Sequence, residues 1–372
     1  MIFNKMGSNN IPISKIGFGC GIGGYNSVKM DYNTLEDLII NNISLGSNFI
    51  DTAPIYGNGE SEKIIGALIK PIREKVIIAT KISPNNTSYI GVINSLESSL
   101  KRLQTDYVDL CQVHWPNPDV PLSETISAME KLVEDGKIKY IGVSNFTLKE
   151  IKETIQHLDK NLLASIQIEY NLFERTMEEE LLPFAKKHNI TIIAYSPLAQ
   201  GKLANGRSQL ELINNLAKKY DATPSQIVLR FLIDKPEVVA IPNTTKLNRL
   251  TENIYSADIN IQTEDLDKID KVCKTEVSSI DTKKIRVSDE YNRKVYTNIE
   301  QAKQNKMNMV PSPMKLAAEI KMGVFLKPIR LKKLSKNIEG ATYDLIEGRL
   351  RYWAWIIAFG WDKPIPSLVW HE

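Results

Sequence analysis

The chain has 372 residues, 42% of them hydrophobic and 24% charged, and carries a formal net charge of +3. This is the mix of a soluble globular protein, and so small a net charge argues against a protein built mainly to coat nucleic acid. The length exceeds a usual single domain, so two units are expected.

The charge is unevenly spread: 30 basic and 33 acidic side chains up to residue 275, against 17 and 11 beyond it. That basic excess fits either an anionic ligand for the tail or a solvated surface. Three cysteines (Cys20, Cys111 and Cys273) lie far apart without metal spacing, which suggests a reducing compartment and no disulfide framework. Cys20 and Cys111 fall in apolar runs, as ordinary core thiols do. No continuous apolar stretch precedes Ile16, and 352–359 is too short to span a bilayer. No signal peptide, membrane segment or metal is expected, and the expected location is the cytoplasm.

From about 16 to 272 short apolar runs alternate with helix-period segments. Candidate strands are 16–20, 49–51, 76–81, 108–114, 140–143, 165–169, 191–195 and 238–241. Candidate helices between them include 32–45, 88–103, 123–134, 148–158 and 178–188. Eight strands alternating with helices predict an α/β fold, a (β/α)8 TIM barrel, with chemistry at the carboxyl ends of its strands. Asp51, Lys81, His114, Asn145, Gln167 and Ser196 all fall at or near such ends.

Residues 276–284 are polar and weakly periodic, and are expected to form a linker. A second, small α+β domain is expected over 285–372, with strands at 285–287, 325–331, 342–346 and 365–370 and helices at 316–322 and 349–359. Four of the five tryptophans (Trp353, Trp355, Trp361, Trp370) lie there and supply apolar area for a separate core.

Tyr56, Asp51, Lys81 and His114 each have a plain structural explanation when taken singly: a phenol in a core, a turn-forming carboxylate, a solvated ammonium. Their flanks are more specific. Phe49-Ile50-Asp51-Thr52-Ala53-Pro54-Ile55-Tyr56 followed by Gly57-Asn58-Gly59-Glu60-Ser61-Glu62, then Ala79-Thr80-Lys81 and Val113-His114, resembles the catalytic tetrad region of the aldo-keto reductases. Gly142-Val143-Ser144-Asn145, Gln167-Ile168-Glu169-Tyr170-Asn171, Ala194-Tyr195-Ser196-Pro197-Leu198 and Ile241-Pro242-Asn243-Thr244-Thr245-Lys246 resemble later segments of the same family. The resemblance spans residues 1–275.

It implies an oxidoreductase that reduces a small-molecule aldehyde or ketone, sugar-like in one reading, with NADPH. Tyr56 would be the general acid. Lys81, paired with Asp51, would lower its pKa, since a neighbouring cation favours the phenolate. His114 would orient the carbonyl. Ser144, Asn145 and Gln167 would hold the nicotinamide carboxamide, with Tyr195 stacked on the ring. Gly19, Cys20 and Gly21 would border it. Ser196, Pro197, Leu198, Gln200, Gly201 and Lys202 would contact the pyrophosphate. Thr244, Thr245, Lys246 and Arg249 would surround the 2′-phosphate, with Ile241, Asn243, Glu252 and Asn253 completing the adenosine end. Asn243 stands where many NADP-dependent members carry Lys, but Arg249 and Lys246 still favour NADPH over NADH. Tyr25, Ile55 and Trp115 would line the substrate mouth, Trp115 alternatively packing only the rim.

The tail from Leu316-Ala317-Ala318-Glu319-Ile320 through Glu347-Gly348-Arg349-Leu350-Arg351 resembles the ParB/sulfiredoxin-like fold in part. That resemblance implies a phosphate site at Gly348, Arg349 and Arg351, with Arg293 as a second element, for CTP or ATP. It leaves three roles open: nucleotide binding, a small-molecule kinase, or docking alone. No cysteine lies at the phosphate turn for sulfiredoxin chemistry, and nucleic-acid binding is not expected. The alternative to a reductase is a regulatory protein that senses redox state or a nucleotide.

Overall fold

A computed structural model describes residues 2–6, 11–21, 32–201, 203, 211–272, 277–288, 296–309, 311–322, 328–338 and 340–370. Tyr25, Lys202, Cys273 and Arg293 lie outside them. Contacts divide the chain into two units, Met1–Lys274 and Thr275–Glu372.

The first unit opens with an antiparallel hairpin, β1 (Phe3–Met6) and β2 (Ile11–Ser14). Then come β3 (Phe18–Gly19), α1 (Tyr32–Ser44), β4 (Phe49–Asp51), α2 (Glu60–Ile69), β5 (Ile77–Ile82), α3 (Tyr89–Leu103), β6 (Val108–Val113) and α4 (Leu122–Glu134). The alternation continues through β7 (Ile138–Ser144), α5 (Leu148–His157), β8 (Leu163–Glu169), α6 (Leu181–Lys187) and β9 (Thr191–Tyr195). It ends with α7 (Glu211–Lys219), α8 (Pro224–Ile233), β10 (Val238–Ala240), α9 (Leu247–Tyr255) and α10 (Thr263–Val272).

Strands β3 to β10 form one parallel sheet in chain order. A parallel bridge from Ile16 to Ala240, with Gly17 N donating to Ala240 O at 2.9 Å, joins its two ends into a barrel. Successive residues of each strand face opposite sides. Ile50, Ile78, Cys111, Val143, Ile166 and Ile192 therefore enter the layer shared with the helices. Phe49, Ile77, Ala79, Leu110, Ile193 and Val239 fill the interior. Met6 and Ile13 of the hairpin, both fully buried, join that interior core. Strands of only four residues carry too little periodicity for this hairpin to show in the sequence.

Helix starts follow local chemistry. Thr147 with Glu150 and Thr223 with Gln226 form capping boxes, which satisfy the free N–H groups of α5 and α8. At the other end of α8, Lys15 Nζ donates to Ile233 O at 2.6 Å and Lys235 O at 3.0 Å. Burial, then the Arg230 charge, pull the Lys15 pKa from 10.5 down to about 8. The unfolded chain therefore binds more protons between those values, and this group's contribution to stability rises with pH across that window. The thermal midpoint of the native protein should gain on that of Lys15→Met between about pH 8 and about pH 10; a constant difference in pH-scanned melts would contradict it.

The second unit contains β11 (Val277–Ile280), β12 (Ile285–Arg286), α11 (Ile299–Lys303), α12 (Pro313–Lys321), β13 (Ile329–Ile338), β14 (Ala341–Glu347), α13 (Arg349–Phe359) and β15 (Ile365–Trp370). Its sheet runs β11-β15-β13-β14-β12. The expected linker 276–284 is corrected by this topology: Val277–Ile280 pairs antiparallel with Ile365–Leu368. Its side chains are almost all exposed, so an edge strand there leaves no apolar alternation in the sequence. Similarly β13 runs seven residues past the expected end at 331, through exposed lysines. Trp353 and Trp355 are buried with Ile329, Leu331, Leu345 and Ile365, whereas Trp361 is 40% exposed. No helix among the described residues is long and apolar enough to cross a membrane.

Candidate active site

The same alternation that packs Phe49, Ala79 and Leu110 inside the barrel brings Asp51, Lys81 and His114 to its carboxyl end. Lys81 Nζ lies 2.6 Å from Asp51 Oδ2, with both side chains essentially buried. The ammonium also donates to Thr52 O at 3.0 Å and lies 5.2 Å from the centroid of the Tyr56 ring. The Tyr56 ring meets the His114 ring edge-on, with centroids 6.0 Å apart. Trp115 stacks on the opposite partner of this contact, His114, at 3.8 Å. The four expected side chains thus converge on one place.

The loop that carries Tyr56 needs an unusual backbone. Gly57, Asn58 and Gly59 have φ of 59°, 54° and 88°, three successive left-handed residues that glycine and asparagine tolerate. The helix that follows is fastened behind them. Glu62 is fully buried, accepting from Thr80 Oγ1 at 2.6 Å and from Arg102 Nε at 2.6 Å. It ties the tyrosine loop to the strand that bears Lys81, and neither Glu62 nor Arg102 was singled out from sequence. A carboxylate three residues into an exposed-looking Gly-Glu-Ser-Glu run gives no sign of burial. On the other side, a Cβ at Gly21 would sit 3.2 Å from Tyr56 Cζ, so glycine lets the first barrel loop close on the phenol.

The electrostatics correct one expectation. Burial raises the Tyr56 pKa above its ordinary 10.0; Lys81 opposes that shift and Asp51 reinforces it. The net direction is upward, because removing a phenolate from water outweighs the adjacent cation. Burial also disfavours the Lys81 ammonium, but Asp51 and then Tyr56 hold its pKa above the usual value. His114 is driven down to about 2 by burial and then by Lys81, so its imidazole is neutral, and its Nδ1 is buried without a hydrogen-bond partner. A neutral phenol, a fixed ammonium and a neutral imidazole form a donor set for a carbonyl oxygen.

Beside the tetrad, Asn145 donates to His114 O and Ser144 Oγ, both at 3.0 Å, and accepts from the Tyr195 hydroxyl at 2.8 Å. Asn145 and Ser196 hold positive φ of 62° and 48°. Gln167 Nε2 donates to Asp51 Oδ1 at 2.7 Å, so one arm of this expected carboxamide ligand is engaged by the tetrad. Gly19 lies against Ile241, where a Cβ would be 2.9 Å from the carbonyl oxygen, and Cys20 is buried with its pKa raised by desolvation. Pro197 and Leu198 are buried; Gln200 is exposed and Gly201 half-buried. Asn243, Thr245 and Lys246 are exposed, Thr244 and Asn253 are buried, and Arg249 and Glu252 are half-buried around the start of α9. Ile55 and Trp115 are half-buried.

The Aldo/keto reductase family model matches residues 15–274. The chain belongs to the aldo/keto reductase family. It is 36% identical to the methylglyoxal reductase YeaE of Escherichia coli over 230 residues, covering 62% of this chain and 81% of that protein. It is also 36% identical to the glyoxal reductase of Bacillus subtilis over 237 residues, covering 63% and 82%. Among solved structures, an aldo/keto reductase of Klebsiella pneumoniae in complex with NADP and acetate is 33% identical, with a TM-score of 0.65 over 73% of this chain and 94% of that one. The chain is an aldo/keto reductase oxidoreductase over its first unit.

In the second unit, Gly348 (φ 96°) starts α13. Arg349 donates to Ser288 O, and Arg351 donates to Pro328 O at 2.7 Å and lies 3.5 Å from Glu347. Both guanidinium groups are thus engaged by the unit's own backbone.

Proposed function

We propose that this aldo/keto reductase is an NADPH-dependent reductase of small reactive carbonyls, with α-dicarbonyls as the leading substrate class. The observation that carries the reading is the convergence of Tyr56, Lys81, Asp51 and His114 at one end of the barrel. The relatives named for methylglyoxal and glyoxal support the substrate class, and the structure holding NADP supports the cofactor.

The donor set suits the cofactor. Tyr195 stands at the end of β9 with its hydroxyl anchored on Asn145, which fixes an aromatic ring where nicotinamide would stack. Lys246 and Arg249, at the start of α9, offer cations for a 2′-phosphate. The bound nicotinamide would supply hydride to the carbonyl carbon. Tyr56 gives its proton to the carbonyl oxygen, Lys81 steadies the phenolate left behind, and His114 orients the oxygen between them. Asp51 keeps Lys81 in place.

Consumption of NADPH against methylglyoxal, glyoxal and aldoses, with NADH alongside, tests this reading. Turnover of the dicarbonyls with NADPH supports it; turnover of none of these carbonyls would discard it. The raised Tyr56 pKa adds a pH signature, since reduction needs the protonated phenol and alcohol oxidation needs the phenolate. Reduction should keep a level turnover number from about pH 6 to about pH 9, whereas oxidation should keep climbing through about pH 10. An oxidation rate that levels off near neutral pH would contradict that assignment.

The comparisons lend no support to the tail's reading as a ParB/sulfiredoxin-like phosphate site for CTP or ATP, since the family match ends at residue 274. A phosphate there would have to displace the carbonyl contacts of Arg349 and Arg351.

A further inference from the structure

Strand β6 places Leu110, Gln112 and His114 on the same side by alternation, and Leu110 belongs to the apolar interior of the barrel. Gln112 therefore sits one layer below His114, with no solvent exposure. A primary amide at such depth must find partners or cost stability. Its Nε2 donates to Asp51 Oδ1 at 3.3 Å, and its Oε1 accepts from Ser165 Oγ and from Gln167 Nε2, each at 3.5 Å. These contacts are long, so they act on orientation more than as strong bonds.

Neighbouring sequence makes the room for this layer. At Gly142, in the adjacent strand, a Cβ would lie 2.3 Å from Ser165 Oγ and 2.9 Å from Gln112 Cγ. No side chain larger than glycine leaves the two polar groups facing each other. Asp51 then receives Gln112 and Gln167 on Oδ1 and Lys81 on Oδ2. The carboxylate has donors on both oxygens, and its rotation is blocked.

We propose that Gln112 is a positioning residue for carbonyl reduction: it fixes the Asp51 carboxylate so that Lys81 stays directed at Tyr56. This rests on Tyr56 as the acid. Without the amide, Asp51 Oδ1 keeps Gln167 alone, the carboxylate is less tightly fixed, Lys81 is less firmly held, and the phenolate that forms during turnover is less well steadied by that cation. The titratable groups facing this centre are Asp51 from β4, Tyr56 from the loop after it, Lys81 from β5, His114 after β6 and Cys20 after β3.

Gln112→Met keeps the volume without donors, and Gln112→Asn keeps the amide but shortens its reach. Both should lower the turnover number for reduction by about tenfold and move the rise of alcohol oxidation to higher pH by about one unit. The dissociation constant for NADPH, read by quenching of intrinsic fluorescence, should change less than about twofold. In an Asp51→Asn background the pH shift from Gln112→Met should vanish, because the two act through one contact. An unchanged profile in either folded variant overturns the assignment, as does a shift that adds to that of Asp51→Asn. Tyr56→Phe separates the two ideas: full activity there removes the acid itself, whereas an inactive Tyr56→Phe beside an unshifted Gln112→Met removes only the role of the amide.

Discussion

Tyr56→Phe is expected to lower the turnover number for carbonyl reduction by about 10²- to 10⁴-fold, the usual worth of a positioned general acid. Phenylalanine keeps the ring that packs against Gly21 and His114, so the barrel mouth retains its shape. Only the hydroxyl, whose ionised form the Lys81 charge favours, is lost. Cofactor binding, measured by fluorescence titration, should change less than about twofold. Burst or steady-state assays that show near-native turnover would eliminate Tyr56 as the proton donor.

Lys81→Met should be the more damaging change to the folded protein. It leaves Asp51 buried with its cation removed, and breaking such a pair costs about 3–5 kcal/mol. Gln112 and Gln167 still donate to Oδ1, which places the expected loss toward the lower end. Turnover should fall as well, because the Lys81 charge that favours the Tyr56 phenolate is removed. Chemical denaturation of Lys81→Met, Asp51→Asn and the double variant checks the origin of the loss. The double variant should be more stable than Lys81→Met, since it no longer buries a lone carboxylate; strict additivity would show that the pair is not the cause.

The barrel and its tetrad are legible because most barrel strands are buried on both faces. Runs such as Val108–Val113 and Leu163–Glu169 are apolar enough to stand out, and the chemistry follows at their ends. What escaped were the long-range partners that no motif marks. Glu62 meets Arg102, Gln112 meets Asp51 and Ser165, and Lys15 meets Ile233. Spacing along the chain encodes none of these. The direction of the Tyr56 pKa was also out of reach, since it depends on how far burial exceeds one cation. In the tail, α13 and β15 were recovered from their apolar content, whereas β11 and the outer half of β13 carry solvent-facing side chains and leave no pattern.

The pairing of Val277–Ile280 with β15 sets where the two halves of this chain can be separated. A fragment beginning at 285 would strip β15 of its neighbour and leave a bare row of N–H and C=O groups, an invitation to self-association. Any division of the gene that respects the polypeptide's own seams has to fall ahead of Val277.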